Sequence, residues 1–306
     1  MSDTVFYTDM ISEAAEYAGF PYGVTAQTKN LYGGIIKSKV VIETAEQEKM
    51  LGKKRGIYYT FDNQSDKKDA KRDKILIEEM AAVFVRLAAK AVKGRPEILV
   101  VGLGNRDIRA DALGIEVINR LIITRPYFEE NSLLARGART ELSAIAPGVY
   151  GLTGIQSGDI VKAVAEKVRP NLVIAVDSLA AARVSRLYSS YQITTAGIQP
   201  GSGISSGKKY IDFQSLGVPV ISVGVPLALY AASLLREGIV NFIKLSDRRT
   251  AEYDINSALE ETLTQKFSAM VVAPKQIEDI VENCAEIIAA SVNLAFQGKT
   301  QKERIF

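Results

Sequence analysis

Two aspartates follow apolar runs, in settings suited to acid–base chemistry. In VVGLGNRDIRADALG, Asn105, Asp107 and Asp111 come out of the apolar run that starts at Ile98. In LVIAVD, Asp177 closes five apolar residues, where ionisation is costly without a hydrogen bond or a nearby cation. Both positions read as carboxyl ends of strands, the edge at which open α/β sheets build their sites. Two carboxyl groups held close cannot both ionise easily, so one keeps a proton while the other stays charged. The charged member takes a proton from water as it attacks a peptide carbonyl, and the protonated one donates to the oxyanion or the leaving amine. Each aspartate also has a structural reading: Asp111 as an N-cap or first-turn acid, Asp177 as the cap of a following helix. Gly102 and Gly104 suggest a dinucleotide fingerprint, but its third glycine falls at Asp107, whose charge opposes a pyrophosphate.

What the chain lacks narrows the chemistry further. Its 306 residues include no histidine, no tryptophan and one cysteine. Ser-His and Cys-His couples and His-bearing zinc sites are therefore excluded, which leaves carboxylates, hydroxyls and amines. No metal and no cofactor is expected. Cys284 falls on the apolar face of a helical pattern and reads as core packing. A net charge of +3, from 38 basic and 35 acidic residues, does not point to nucleic acid or an anionic membrane as a partner. The opening residues do not resemble a signal peptide, and no apolar stretch of about 18 residues occurs, so the reading is cytoplasmic.

The elements that must position these acids follow from periodicity. Short apolar runs at ILVVGLG, LVIAVD and VPVISVGVP predict buried strands. Strands without a polar face need cover on both sides, hence a three-layer α/β sandwich around a mostly parallel or mixed sheet. Helices are predicted over Asp73–Val92, Asp111–Leu121, Ser157–Val168 with Ser157 as N-cap, and Lys275–Phe296. Gly34–Thr44 and Gly56–Asp62 predict a hairpin or small N-terminal β element, about residues 34–62. SAIAPGVYGLTGIQSGD, from Ser143 to Asp159, predicts a strand, a Gly-rich turn and a helix start able to bind an anion or a carbonyl oxygen. AGIQPGSGISSGKK, from Ala196 to Lys209, is a loop or a cradle of backbone N–H groups holding Gly201, Ser202 and Gly203. Lys208 and Lys209 there suit an acidic substrate group, or are simply solvated. Ser246–Ser257 reads as a surface excursion.

Taken together, VVGLGNRDIRADALG, SAIAPGVYGLTGI, LVIAVDSLAAAR, GIQPGSG and GVPVISVGVP resemble the germination (spore) protease family, in the family's order. The likeness spans about Ile98 to Pro226 and resumes at MVVAPKQIEDIVENCAEIIAASVNLAF. YTDMISEAA at Tyr7 is similar to the family's propeptide junction. The resemblance implies an aspartic-type endopeptidase that degrades small acid-soluble spore proteins at germination, in the spore core, made as a self-processing zymogen and assembled as a homotetramer. It implies catalytic roles for Asp111 and Asp177, a cut between Asp9 and Met10, a propeptide of residues 1–9 and a single protease domain over 10–306. It also implies an acid before the substrate's scissile bond, which Lys208, Lys209 or Arg183 would meet, with Asn105 and the Gly201–Gly203 loop as further substrate contacts. The implied fold is similar to that of hydrogenase-maturation endopeptidases. Where the family commonly has a histidine and an aspartate in the glycine-serine loop, this chain has Gln199 and Thr195. Either those family residues are dispensable or this protein is impaired. Two other readings stand beside this one: a silent α/β protein that binds spore proteins, and a metal-guided maturation peptidase.

Overall fold

The computed structural model describes residues 7–20, 23–63, 69–129, 139–200, 210–245 and 270–298. In chain order the elements are α1 (Ile11–Tyr17), β1 (Ala26–Asn30), β2 (Ile35–Ile42), α2 (Ala45–Leu51), β3 (Gly56–Asn63), α3 (Ala70–Ala91) and β4 (Glu97–Gly102). A 3-10 turn at Arg109–Asp111 leads to α4 (Leu113–Ile118), α5 (Arg125–Glu129), β5 (Glu141–Ile145), α6 (Tyr150–Thr153), α7 (Ser157–Val168) and β6 (Leu172–Ala181). Then come β7 (Ser190–Thr194), α8 (Phe213–Leu216), β8 (Val220–Tyr230), α9 (Ala231–Leu245), β9 (Val271–Val272) and α10 (Ile277–Gln297).

Among the described residues, nine strands form one sheet in the order β1-β2-β3-β7-β8-β6-β4-β5, with β9 added to β8. The apolar strands β4, β5, β6 and β8 pair in parallel, as burial on both faces requires. β1, β2, β3 and β7 pair antiparallel and extend the same sheet through β8. The expected hairpin element is thus a wing of the main sheet, tied in by the register Thr60↔Gln192.

Alternation along the strands decides which helix covers which face. Ile174, Val176, Val223 and Ile193 face Leu76, Met80 and Phe84 of α3, Leu113 of α4, and Ile288 and Val292 of α10. Val173, Ala175, Leu99 and Val101 face the other way, onto Val161 and Ala165 of α7. Beside them Ile11 and Ala15 of α1 and Leu51 of α2 pack on Val40, Ile42 and Tyr58. These layers make the three-layer α/β sandwich that the apolar runs call for.

Several ends differ from the periodic pattern. Asp69 caps α3 by accepting from the N–H groups of Lys71 and Arg72, so the helix starts three residues before Asp73. Ser157 is not an N-cap: Gln156 holds that position, and the Ser157 hydroxyl donates to the carbonyl of Gly148 at 2.7 Å. The predicted helix Asp111–Leu121 contracts to Leu113–Ile118, because the preceding residues close the 3-10 turn instead. Strand β6 runs four residues past Asp177, since β8 continues to pair with it through Ala181. Asp177 is accordingly a mid-strand residue, and the 3-10 turn that follows β6, Val184–Arg186, has Arg183 at its N-cap position instead. No helix among the described residues is long and apolar enough to cross a membrane.

Candidate active site

The register of β4 with β6 ends at Gly102↔Val176, one residue before Asp177, and Leu103 N–H then donates to the Val176 carbonyl at 2.8 Å. Beyond this point the chain leaves the sheet and forms the Arg109–Asp111 turn, which packs against β6, β8 and α10. Glycines permit that fold. Gly104 has φ +117°, and a Cβ there would lie 1.7 Å from the Asp111 carbonyl oxygen and 3.4 Å from Asp111 Oδ1. Asn105 N–H donates to the same Asp111 carbonyl at 2.9 Å. Three residues on, a Cβ at Gly114 would sit 2.6 Å from the Val176 carbonyl oxygen, so the start of α4 meets β6 backbone to backbone.

Asp111 and Asp177 are thereby anchored at the same corner, where β4 ends and β6 continues. Asp111 stands just before Ala112, the N-cap of α4, so it does not serve as that helix's cap. Asp177 is buried, at 6% exposure, and accepts from the N–H of Ser178 at 2.9 Å. Its register partner on β8 is Gly224, whose partner on β7 is Gln192. Asp177 and Gln192 therefore present their side chains to one face of the sheet. Asn105 organises the turn, its Oδ1 accepting from Asp107 N–H at 3.0 Å.

The Asp9–Met10 junction is built into that same face. Asp9 N–H donates to the Ala180 carbonyl, and Ala180 N–H donates to Asp9 Oδ2, both at 2.8 Å. Gln192 Nε2 donates to the Asp9 carbonyl at 3.1 Å, while Ile11 N–H donates to Gln192 Oε1 at 2.7 Å. Met10 and Ile11 are fully buried. Lys53 Nζ donates to the Thr8 carbonyl. Burial pulls the Lys53 pKa down, opposed by the charges of Asp9 and Glu13. Glu13 is buried without exposure and accepts from Thr8 Oγ1 and from the N–H groups of Ala182, at 2.8 Å, and Arg183, at 3.0 Å. Its burial raises its pKa, against those hydrogen bonds and the charge of Arg186.

The remaining expected substrate contacts are distributed differently. Arg183 lies beyond the end of β6 and pairs with Glu16 of α1 at 2.7 Å. Gly201, Ser202, Gly203, Lys208 and Lys209 lie outside the described residues, as does the Ser246–Ser257 excursion. Thr195 is a structural residue whose Oγ1 accepts from Ile57 N–H at 3.0 Å. Lys53, Glu13 and Gln192 were not legible as members of this corner. The available signal was a polar glutamine inside the strand-forming SYQIT, on the face that alternation turns away from Tyr191 and Ile193.

Comparisons with known proteins agree in one direction. A family profile described as germination protease matches residues 13–265. The germination protease of Caldanaerobacter subterraneus is 35% identical over 286 residues, covering 88% of this chain and 87% of that protein. That of Clostridium perfringens is 32% identical over 311 residues, covering 95% and 94%. That of Bacillus subtilis is 29% identical, covering 89% and 86%. Among solved structures, the NiFe hydrogenase maturation protease HycI from Thermococcus kodakarensis aligns at 15% identity and a TM-score of 0.31, over 69% of this chain and 99% of that one.

Proposed function

Because the chain belongs to the germination protease family, and is thereby an endopeptidase of spore germination, we propose that it cuts small acid-soluble spore proteins with Asp111 and Asp177 as a water-activating pair. The observation that supports this reading is the close backbone approach of Gly114, three residues after Asp111, to the carbonyl of Val176, the residue before Asp177. In the proposed step the ionised carboxylate takes one proton from water as its oxygen bonds to the peptide carbonyl carbon. The protonated carboxyl gives its proton to the leaving nitrogen as the C–N bond breaks, so the products are a carboxylic acid and an amine. Neither imidazole nor thiolate takes part, in keeping with a chain that has no histidine and whose one cysteine is buried.

The proposal extends to a zymogen cut between Asp9 and Met10, a homotetramer, and action in the spore core. The buried junction supports latency, since an intact segment occupies the face that Asp177 shares. The test is incubation of the folded chain with a spore protein, followed by mass spectrometry of both. The expected result is a set of fragments each ending in Asp or Glu, and an enzyme whose new N-terminus is Met10. Tight binding with no fragments would favour a silent binding protein, and a chain intact under every activating condition would contradict self-processing.

A further inference from the structure

The amide of Gln192 grips the peptide chain on both sides of the Asp9–Met10 bond. Its Nε2 donates to the carbonyl of that bond, at 3.1 Å, and its Oε1 accepts from the N–H one residue further on, at 2.7 Å. Gln192 is 5% exposed, so this amide is spent on the junction in a site closed to bulk water. The acid in front of the bond is held as well, its carboxylate on the Ala180 N–H and its own N–H on the Ala180 carbonyl. Lys53 Nζ holds the preceding carbonyl, that of Thr8.

These contacts fix a peptide with an acid before one bond, and they do so through main-chain atoms and one carboxylate that any such peptide carries. Particular to this segment are the burial of Met10 and Ile11, the Tyr7 hydroxyl that donates to Asp9 Oδ1 at 2.9 Å, and the Thr8 hydroxyl that accepts from Met10 N–H at 3.0 Å. The grip also sits level with Asp177 of the proposed acid pair. Gln192, Gly224 and Asp177 form one row across β7, β8 and β6, which puts the Gln192 and Asp177 Cα atoms about 10 Å apart at the usual strand spacing. Between them Gly224 carries no side chain, and the space a Cβ would take there is filled by Leu179, whose Cγ would lie 2.6 Å from it.

We propose that Gln192 is the residue that holds the scissile carbonyl, that Ala180 N–H receives the acid before the cut while Lys53 holds the carbonyl preceding that acid, and that residues 8–11 occupy this groove as the chain's own first substrate. This assignment rests on the endopeptidase reading and its Asp9–Met10 cut. As water adds to the carbonyl carbon, the oxygen gains negative charge, and the Gln192 N–H already aimed at it strengthens its hydrogen bond. External substrates of the same pattern enter only after residues 1–9 leave and the new N-terminus, Met10–Ile11, withdraws from Gln192, which gives the uncut chain its latency.

The test uses the full chain as wild type, Gln192→Ala and Gln192→Glu. The glutamate keeps the acceptor for Ile11 N–H and the size of the side chain but loses the donor. Appearance of the Met10 N-terminus should slow about 100-fold in both variants, the usual cost of losing one oxyanion donor. Once processed, each should cut a peptide copying residues 7–13 with kcat lowered by a like factor and KM changed less than about threefold. Gln192→Glu decides the matter if Gln192→Ala does not fold. Wild-type rates in either folded variant, or a loss confined to KM, would overturn the assignment and reduce Gln192 to an anchor for α1. A wild-type chain that neither processes nor cuts the peptide is a different result: it overturns the endopeptidase reading and this proposal with it.

Discussion

The Cys284 thiol lies 3.6 Å from the Tyr191 hydroxyl between the sheet and α10, and burial pushes its pKa up to about 12. It is therefore a protonated packing group at any physiological pH. Iodoacetamide at pH 8 should leave the native chain unmodified and label it only after denaturation; rapid native labelling would contradict the burial. Glu13 offers a second test, through pH. Its folded pKa is raised from 4.5, so the proton it retains favours the fold below that value and the benefit is lost as pH climbs through the raised one. Relative to wild type, Glu13→Gln should thus gain stability between pH 4 and pH 7, read as a shift in urea midpoint. A relative loss over that window would contradict the sign. Asp111 and Asp177 were legible as single residues because a carboxylate beside an apolar run is conspicuous. Gln192 and Glu13 were not, since their partners are 181 and 169 residues away in the chain.

At the scale of elements, the turn that carries Asp111 depends on Gly104 more than on any side chain. Its φ of +117° alone costs a substituted residue roughly 1–3 kcal/mol, and the Cβ would meet the Asp111 carbonyl at 1.7 Å. Gly104→Ala should therefore lower the denaturation midpoint and abolish peptide cleavage together; an unchanged midpoint and rate would contradict the packing described. Helical periodicity located α3, α7 and α10 to within a few residues, because each buries one continuous stripe. It could not place the Ser157 cap, which depends on a hydroxyl turning to Gly148 instead of its own helix. Strand β1, AQTKN, has no apolar alternation to betray it and exists as an edge paired to β2. The extension of β6 past Asp177 is likewise set by its neighbour β8, which a local reading of LVIAVD does not contain.

On the scale of the whole molecule, the candidate site depends on a sheet that changes character midway. Its parallel half, covered on both faces by helices, ends β4 beside the middle of β6, and its antiparallel half delivers Gln192 and the floor on which α1 lies. The sandwich was readable from the apolar runs, while the merger of the two halves arises from the pairing of β7 with β8, between segments that look unrelated in sequence. The central claim is that this assembly makes two carboxyl groups act as one hydrolytic device. Its most direct test is kcat for cleavage of a spore-protein peptide by Asp111→Asn and Asp177→Asn, each nearly the shape of the native side chain. The account predicts a loss on the order of 10³-fold or more in each, with unfolding midpoints close to wild type. Full turnover by either folded variant would contradict it.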